Sequence, residues 1–174
     1  MNDRELDYAF SLIKDVPDFP KPGIIFKDIT PVLLDERAFN SVLTDFSNQL
    51  NGANKIAGIE SRGFIFAAAL AAKNDLGLVL MRKPGKLPRE THSVSYDLEY
   101  GSDSLHMHHD SVNPSDSVFI VDDVLATGGT MWAATELIHK TGASLANCAV
   151  FLELSFLAGR KKLGEHPYYA ALVI

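Results

Sequence analysis

Cysteine is nearly absent from this chain: its 174 residues include only one, Cys148. An internal disulfide is thereby excluded, and Cys148, set in an apolar stretch, reads as a buried structural thiol rather than a nucleophile. Long hydrophobic runs are missing too. No segment offers the roughly 20 apolar residues needed to span a bilayer. The opening residues Met1-Asn2-Asp3-Arg4-Glu5 are polar and of mixed charge, unlike a secretory signal. These absences point to a cytoplasmic protein without membrane attachment. A basic balance is lacking as well. The net charge is -6, which argues against general nucleic-acid binding, whose electrostatics need a positive surface. Neither a Gly-x4-Gly-Lys-Ser/Thr loop nor a Gly-x-Gly-x2-Gly after a strand occurs, and Gly85-Lys86 lacks the hydroxyl residue that would have to follow. There is no internal repeat, low-complexity tract or linker. What remains is ordinary for a single domain over residues 1–174, with 47% hydrophobic and 22% charged residues.

The patterning alternates helix and strand. Asp3 to Lys14 reads as a helix with Leu6, Phe10 and Ile13 on one side. Val16 to Pro22 is proline-rich and is expected to be irregular. Phe39, Val42, Leu43 and Phe46 set a helix over about Arg37 to Asn51. Lys55 to Glu60 reads as a buried strand, Phe64 to Lys73 as an alanine-rich helix with Ser61 helping to start it, and Gly77 to Met81 as the next strand. In the segment Thr91 to His109, Val94, Tyr96, Leu98 and Tyr100 alternate with polar residues, and so do Leu105 and Met107, which predicts a strand-rich excursion. Met131 to Lys140 is a helix stopped by Gly142. Ala149 to Leu154 and Tyr168 to Ile174 are the closing strands. Such alternation implies an α/β fold with a central, mostly parallel sheet flanked by helices.

The densest chemistry lies in Val118-Phe119-Ile120-Val121-Asp122-Asp123-Val124-Leu125-Ala126-Thr127-Gly128-Gly129-Thr130. An apolar run suited to a strand buried on both faces leads into two carboxylates, then a loop of small residues, then a helix. Open α/β sheets place ligands at such strand ends. Backbone N–H groups and hydroxyls of Ala126 to Thr130 can wrap a phosphate at a helix N-terminus. Asp122 and Asp123 can accept hydrogen bonds from a sugar diol. A phosphate cradle beside diol acceptors describes a site for ribose 5-phosphate.

This segment resembles the phosphoribosyl-pyrophosphate motif of type I phosphoribosyltransferases, in particular the adenine phosphoribosyltransferase family. Further blocks agree in order: Phe19-Pro20-Lys21-Pro22-Gly23-Ile24-Ile25-Phe26-Lys27-Asp28-Ile29-Thr30-Pro31, Glu60-Ser61-Arg62-Gly63-Phe64, Arg82-Lys83-Pro84-Gly85-Lys86-Leu87-Pro88 and Leu98-Glu99-Tyr100-Gly101. The resemblance implies a sheet with a small hood, whose base-recognition segment spans about residues 1–35, and a flexible flap over about residues 87–109. It implies transfer of a 5-phosphoribosyl group from phosphoribosyl pyrophosphate to N9 of adenine, with AMP and pyrophosphate as products.

Roles follow by the same resemblance. Asp122, Asp123, Ala126, Thr127, Gly128, Gly129 and Thr130 would hold ribose and 5′-phosphate. Ser61 and Arg62 would hold pyrophosphate, with Arg62 also catalytic. Arg82, Lys83 and Lys86 would reach pyrophosphate across a homodimer interface. Ile25, Phe26 and Lys27 would meet adenine, Ile25 through its backbone. Lys27 stands where many relatives have arginine, and lysine cannot stack or fork as arginine does. Glu99 in the flap would move a proton as N9 becomes the nucleophile, and Tyr100 would shield the ribose. Mg²⁺ would arrive on substrate oxygens and water, with no direct protein ligand. His106 and His108 share a strand face, but no third ligand of the right type is evident, so they read as solvent-facing. Two alternatives remain at this point: a relative acting on a 6-oxo purine or orotate, and a non-enzymatic sensor of the same fold that binds nucleic acid. The Phe19 to Pro31 block and Ala126 in the phosphate loop weigh against the first. The short, acidic chain weighs against the second.

Overall fold

The structure is a computed structural model that describes residues 3–97 and 101–174. They fall into two compact units, Met1–Asp45 and Phe46–Ile174.

In the first unit, α1 (Asp3–Ser11) precedes β1 (Lys14–Pro17) and β2 (Ile25–Asp28). The two strands form an antiparallel ladder with Val16 opposite Phe26 and Pro17 opposite Ile25. α2 (Thr30–Leu34) follows, and α3 (Glu36–Ser47) runs across the boundary. Two expectations are corrected here. The first helix ends at Ser11 rather than Lys14, and Val16 and Pro17 are paired strand rather than irregular chain. A proline is tolerated because β1 has β2 as its one partner and Pro17 is its last residue. Ala9, Ile29, Val32, Ala38 and Val42 are fully buried. The Tyr8 hydroxyl donates to Asp35 at 2.7 Å, and Arg37 forks onto Glu5 at 2.6 and 2.7 Å.

The second unit runs β3 (Lys55–Ile59), α4 (Gly63–Lys73), β4 (Gly77–Met81), β5 (Thr91–Asp97), β6 (Ser102–His108), β7 (Ser117–Leu125), α5 (Gly129–Lys140), β8 (Ser144–Glu153), a short 3₁₀ turn at Ser155–Leu157, α6 (Gly159–Lys162) and β9 (Tyr168–Val173). Five strands form a parallel sheet in the order β4-β3-β7-β8-β9. Strand alternation divides its residues between two faces. Val118 and Ile120 of β7 and Cys148 and Val150 of β8 pack into one buried cluster with Met131, Ala134, Leu137 and Ile138 of α5. On the other parity, Phe151 stacks on Phe66 of α4 with ring centroids 5.9 Å apart. Each such large side chain, fully buried, favours the fold by roughly 1.5–3 kcal/mol. Cys148 is buried as expected, and burial pushes its thiol up to about 12, so it stays protonated and inert.

The sheet order sets the place of function. β3 leads through α4 to β4 on one side, and β7 leads through α5 to β8 on the other. The carboxyl ends of β3 and β7 therefore flank the point where the winding reverses, the crevice in which such sheets take ligands. The hairpin β5–β6 hangs from the sheet edge by one bridge, in which Arg82 and His106 exchange both backbone hydrogen bonds at 2.8 Å. Its apolar face, Val94, Tyr96, Leu105 and Met107, is buried.

Boundaries shift in further places. α3 stops at Ser47, α5 begins at Gly129 instead of Met131, and β8 begins at Ser144 instead of Ala149. Ser61 does not cap α4. The capping position is Arg62, with helical φ of -72°, and no side chain caps that end. Gly142 does follow the end of α5, with φ of +77°.

Candidate active site

Asp122 and Asp123 lie inside β7, which continues through Leu125 beside β8. Residues 126–128 then bend the chain into α5. Gly128 occupies the helix-capping position with φ of +80° and no side-chain cap. Trp132 donates the first helical bond to the Gly128 carbonyl at 2.9 Å. The N–H groups of Gly129, Thr130 and Met131 precede that bond, so the helix gives them no partner. They belong to the residues lining a pocket of about 90 Å³, formed by Asp122 and the chain from Val124 to Met131. Unpaired N–H groups at a positive helix end suit a phosphate.

A second turn makes this loop possible. A methyl group on Gly128 would run into the carbonyl oxygen of Gly159, and one on Gly159 would run into the Ala126 carbonyl oxygen. The start of α6 thus backs the phosphate loop at van der Waals distance. Gly63 does the same for the acids. Its absent Cβ would lie 2.6 Å from Asp122 Oδ1 and 3.0 Å from the Val121 carbonyl oxygen. Neither role was foreseen for Gly63 or Gly159. A glycine at a helix start is the sole sequence signal, and it does not say what passes nearby.

The two aspartates are neighbours that interact with each other, and each has a further partner of its own. Asp122 lines the pocket and accepts a hydrogen bond from the Asp123 N–H at 2.9 Å. Asp123 is 6% exposed and meets the Arg62 guanidinium, Nε to Oδ2, at 2.6 Å. Burial, and then the negative charge of Asp123, hold the Asp122 carboxyl well above the usual carboxylate range. Burial also raises Asp123, but the Arg62 charge opposes it. Arg62 sits in the turn after β3, where the Glu60–Ser61 peptide is cis.

The basic segment after β4 is anchored within its own chain. Arg82 Nε donates to Glu60 Oε2 at 2.7 Å, and its Nη1 donates to the Lys86 carbonyl at 3.2 Å. Lys83 donates its backbone N–H to the same Glu60 oxygen at 3.2 Å, while its ammonium meets the Tyr96 hydroxyl and, at 2.5 Å, Asp103. Burial opposes the charge on Lys83, but the Asp103 and Tyr96 hydrogen bonds prevail and raise its pKa. Thr130 in turn donates to the Tyr96 hydroxyl at 3.1 Å. A continuous polar chain thus joins the phosphate-loop helix to the hairpin through Tyr96, a residue the sequence reading treated as one of an alternating set.

Ile25, Phe26 and Lys27 form β2 in the first unit, with Ile25 58% exposed. Phe26 packs edge-on against Phe19 at 5.1 Å, and Lys27 pairs with Asp15 at 2.6 Å. Pro17, opposite Ile25, has no N–H, so the ladder supplies the Ile25 carbonyl with no donor. Glu99 and Tyr100 fall outside the described residues. The His106 ring lies 3.1 Å from the Thr91 and Ser104 hydroxyls, which engage both of its nitrogens. Among the described residues, no helix is long and apolar enough to cross a membrane.

Residues 32–171 match the phosphoribosyl transferase domain family. Adenine phosphoribosyltransferase of Francisella philomiragia is 53% identical over 165 residues, covering 92% of this chain and 94% of that protein. The crystal structure of adenine phosphoribosyltransferase from Thermoanaerobacter pseudethanolicus is 46% identical, with a TM-score of 0.93 over 97% of this chain and 99% of that one. The Saccharomyces cerevisiae enzyme, complexed with D-2,5-dideoxy-2,5-imino-altritol 1,6-bisphosphate and adenine, is 35% identical, with a TM-score of 0.93 over 98% and 99% of the two chains. With a parallel sheet of matching architecture, a pocket at a helix start beside its reversal point and relatives of this closeness along nearly its whole length, the chain belongs to the phosphoribosyltransferase family and, within it, to the adenine phosphoribosyltransferases.

Proposed function

We propose that this chain transfers the 5-phosphoribosyl group from phosphoribosyl pyrophosphate to N9 of adenine, giving AMP and pyrophosphate in purine salvage, and that residues 1–174 act as one catalytic unit. The observation that carries the reading is the pocket in which Asp122 stands beside the uncapped first turn of α5. In the reaction the N9–C1 bond forms as the C1–O bond breaks, the bonding pair leaves with pyrophosphate, and N9 loses its proton. Positive charge builds on the ribose ring and negative charge on the leaving group.

Ala126 to Thr130 hold the 5′-phosphate. Asp122 and Asp123 accept from the ribose hydroxyls, and Arg62 exchanges Asp123 for pyrophosphate oxygens. Ser61 adds its turn to the pyrophosphate subsite. Glu99 takes the N9 proton and Tyr100 covers the sugar, excluding water that would hydrolyse it. The undonated Ile25 carbonyl suits the 6-amino group of adenine and repels a 6-oxo purine. Phe26 supports the base, and Lys27 acts through Asp15 rather than on the purine.

Mg²⁺ fits this site as a companion of the substrate. Burial disfavours ionisation of Asp122 and Arg62 already pairs with Asp123, so the pocket offers no ready set of oxygen ligands for a resident ion. Asp122 and Asp123 would meet the waters of such an ion. When bound, it would offset charge developing on pyrophosphate.

A homodimer is supported by Leu78 and Leu80, 42% and 37% exposed on edge strand β4, and by Ile65, 41% exposed on α4. In this reading Arg82, Lys83 and Lys86, which follow that strand, leave their own-chain partners Glu60 and Asp103 to serve across the interface. The inert buried thiol and absence of a membrane-length helix among the described residues agree with a cytoplasmic location.

The test offers adenine, hypoxanthine, guanine and orotate in turn with phosphoribosyl pyrophosphate and Mg²⁺. AMP as the sole nucleotide is expected. IMP, GMP or OMP would overturn the base assignment around Ile25, and no nucleotide at all would overturn the activity.

A further inference from the structure

α5 carries Glu136 and His139 three residues apart, so both lie on one helical face. His166, in the turn between α6 and β9, meets them there. The His139 and His166 ring centroids are 5.1 Å apart, and His139 Nδ1 lies 3.5 Å from Glu136 Oε1. One donor atom from each of the three residues lies within 4.8 Å of the others. We propose that Glu136, His139 and His166 form a binding site for a divalent first-row transition ion, Zn²⁺ above all, distinct from the phosphoribosyl site.

Two imidazoles and one carboxylate are the donor set that Zn²⁺ favours, and three protein ligands leave a fourth position for water. Imidazole nitrogen selects such ions over Mg²⁺, which takes oxygen. Metal–ligand bonds of about 2.0–2.1 Å in a tetrahedron place the donor atoms about 3.3 Å apart. Closing the cluster from 4.8 Å needs a movement that one exposed ring can supply, and the His139 side chain is 43% exposed. The backbone under His166 is already fixed. Its N–H donates to the Leu163 carbonyl at 3.1 Å, and its carbonyl accepts from Arg160 at 3.3 Å. Of the neighbouring cations, Lys140 donates to the Ser93 carbonyl at 2.7 Å, and Arg160, bonded to the His166 backbone rather than its ring, lies over the Tyr168 ring at 5.2 Å.

The site also has a mechanical meaning. α5 opens in the phosphate loop, and the segment leading to His166 opens at Gly159, which backs that loop. An ion between His139 and His166 clamps the far end of α5 to the far end of that segment. At 100 times its dissociation constant, Zn²⁺ would raise the folded-to-unfolded ratio by about 100-fold.

The experiment titrates ZnCl₂ by calorimetry into EDTA-stripped full-length protein under excess Mg²⁺, with Cu²⁺ electron paramagnetic resonance in parallel. One Zn²⁺ per chain is expected, weakened at least about tenfold in His139→Ala and in His166→Ala, since even the loss of an outer-sphere partner costs that much. Two imidazole nitrogens should couple to Cu²⁺ in the parent and one in His139→Ala. His92→Ala, which removes one ring of the stacked His92–His109 pair, should change neither readout. Because His139 is exposed, its variant should melt like the parent in EDTA, and only the parent should gain stability with Zn²⁺. No saturable Zn²⁺ binding, or binding that both His139→Ala and His166→Ala retain in full, overturns the site. Loss of binding in His92→Ala overturns it as well.

Discussion

Replacing Gly128 by alanine isolates the contact on which the phosphate loop depends. Two penalties add. A non-glycine residue held at φ of +80° costs roughly 1–2 kcal/mol. The new methyl also meets the Gly159 carbonyl, with the Gly159 Cα close behind it at 3.1 Å. Backbone cannot swing aside as a side chain can, and overpacking of this kind costs about 1–3 kcal/mol. The sum is about 2–5 kcal/mol, or roughly 4–20 °C in Tm for a chain of this size. Gly52 provides the control. Its φ is +79°, and nothing lies within 4 Å of its absent Cβ, so Gly52→Ala incurs the conformational penalty alone. Thermal unfolding of both variants therefore separates the terms, and steady-state kinetics follow the consequence. Gly128→Ala should lose at least tenfold in kcat/KM for phosphoribosyl pyrophosphate, because shifting the loop spoils the N–H cradle, whereas Gly52→Ala should keep its activity. Equal loss of stability in the two variants would refute the argument that Gly159 stands against the loop. A Gly128→Ala enzyme with normal kcat/KM would refute the link from that contact to phosphate binding.

Other outcomes follow from the charges. Asp122 has a folded pKa raised above its unfolded value, so its ionisation favours unfolding increasingly as pH rises from about 4 through the raised folded pKa. Asp122→Asn should thus match the parent near pH 4, melt higher at neutral pH and lose sugar-diphosphate use; a lower Tm at neutral pH would contradict this. Asp116 shows the opposite sign: burial works against its charge, but the Asn113 N–H, Lys55 and Asn54 hold its pKa down. Its stabilisation is present above the unfolded carboxylate pKa and lost as pH falls through the folded one, and Asp116→Ala should cost about 3 kcal/mol in urea unfolding at neutral pH. Tyr96→Phe removes the hydroxyl that joins Lys83 to Thr130 and should cost about 1 kcal/mol by the same measurement. Paired Asp122→Asn and Asp123→Asn changes should impair catalysis while circular dichroism stays native; near-normal kcat/KM would remove the diol assignment.

Much of the sheet was legible because buried parallel strands are continuous apolar runs and their helices start after small residues. Val118 to Val121 announced β7 in this way, and Met131 to Lys140, closed by Gly142, announced α5. The limits of elements were less legible. The sequence puts Asp122 and Asp123 just ahead of the small-residue loop; pairing with β8 carries the strand through them to Leu125, and Arg62 offsets one of the charges. Val16-Pro17 looked irregular because proline opposes a ladder, but a strand's last residue on an edge has little to lose. The phosphate loop could be found from local composition, since one short segment supplies the whole cradle. Gly159, Tyr96 and Asp103 could not, because each works through a contact distant in sequence. The same holds for His139 and His166, which only the turn after α6 brings together.

The pair between Arg62 and Asp123 has a bearing on selectivity. At 2.6 Å, each partner already answers the other's charge in the resting molecule. A stray inorganic anion that took the guanidinium would strand a carboxylate that is 6% exposed, and an abandoned buried charge costs several kcal/mol. If the proposed roles hold, a visitor that brings hydroxyls for the acid together with oxyanions for the base opens the pair without leaving the carboxylate unanswered. On the proposed reading, the pair thus favours a molecule that carries both functions on one frame over an anion alone.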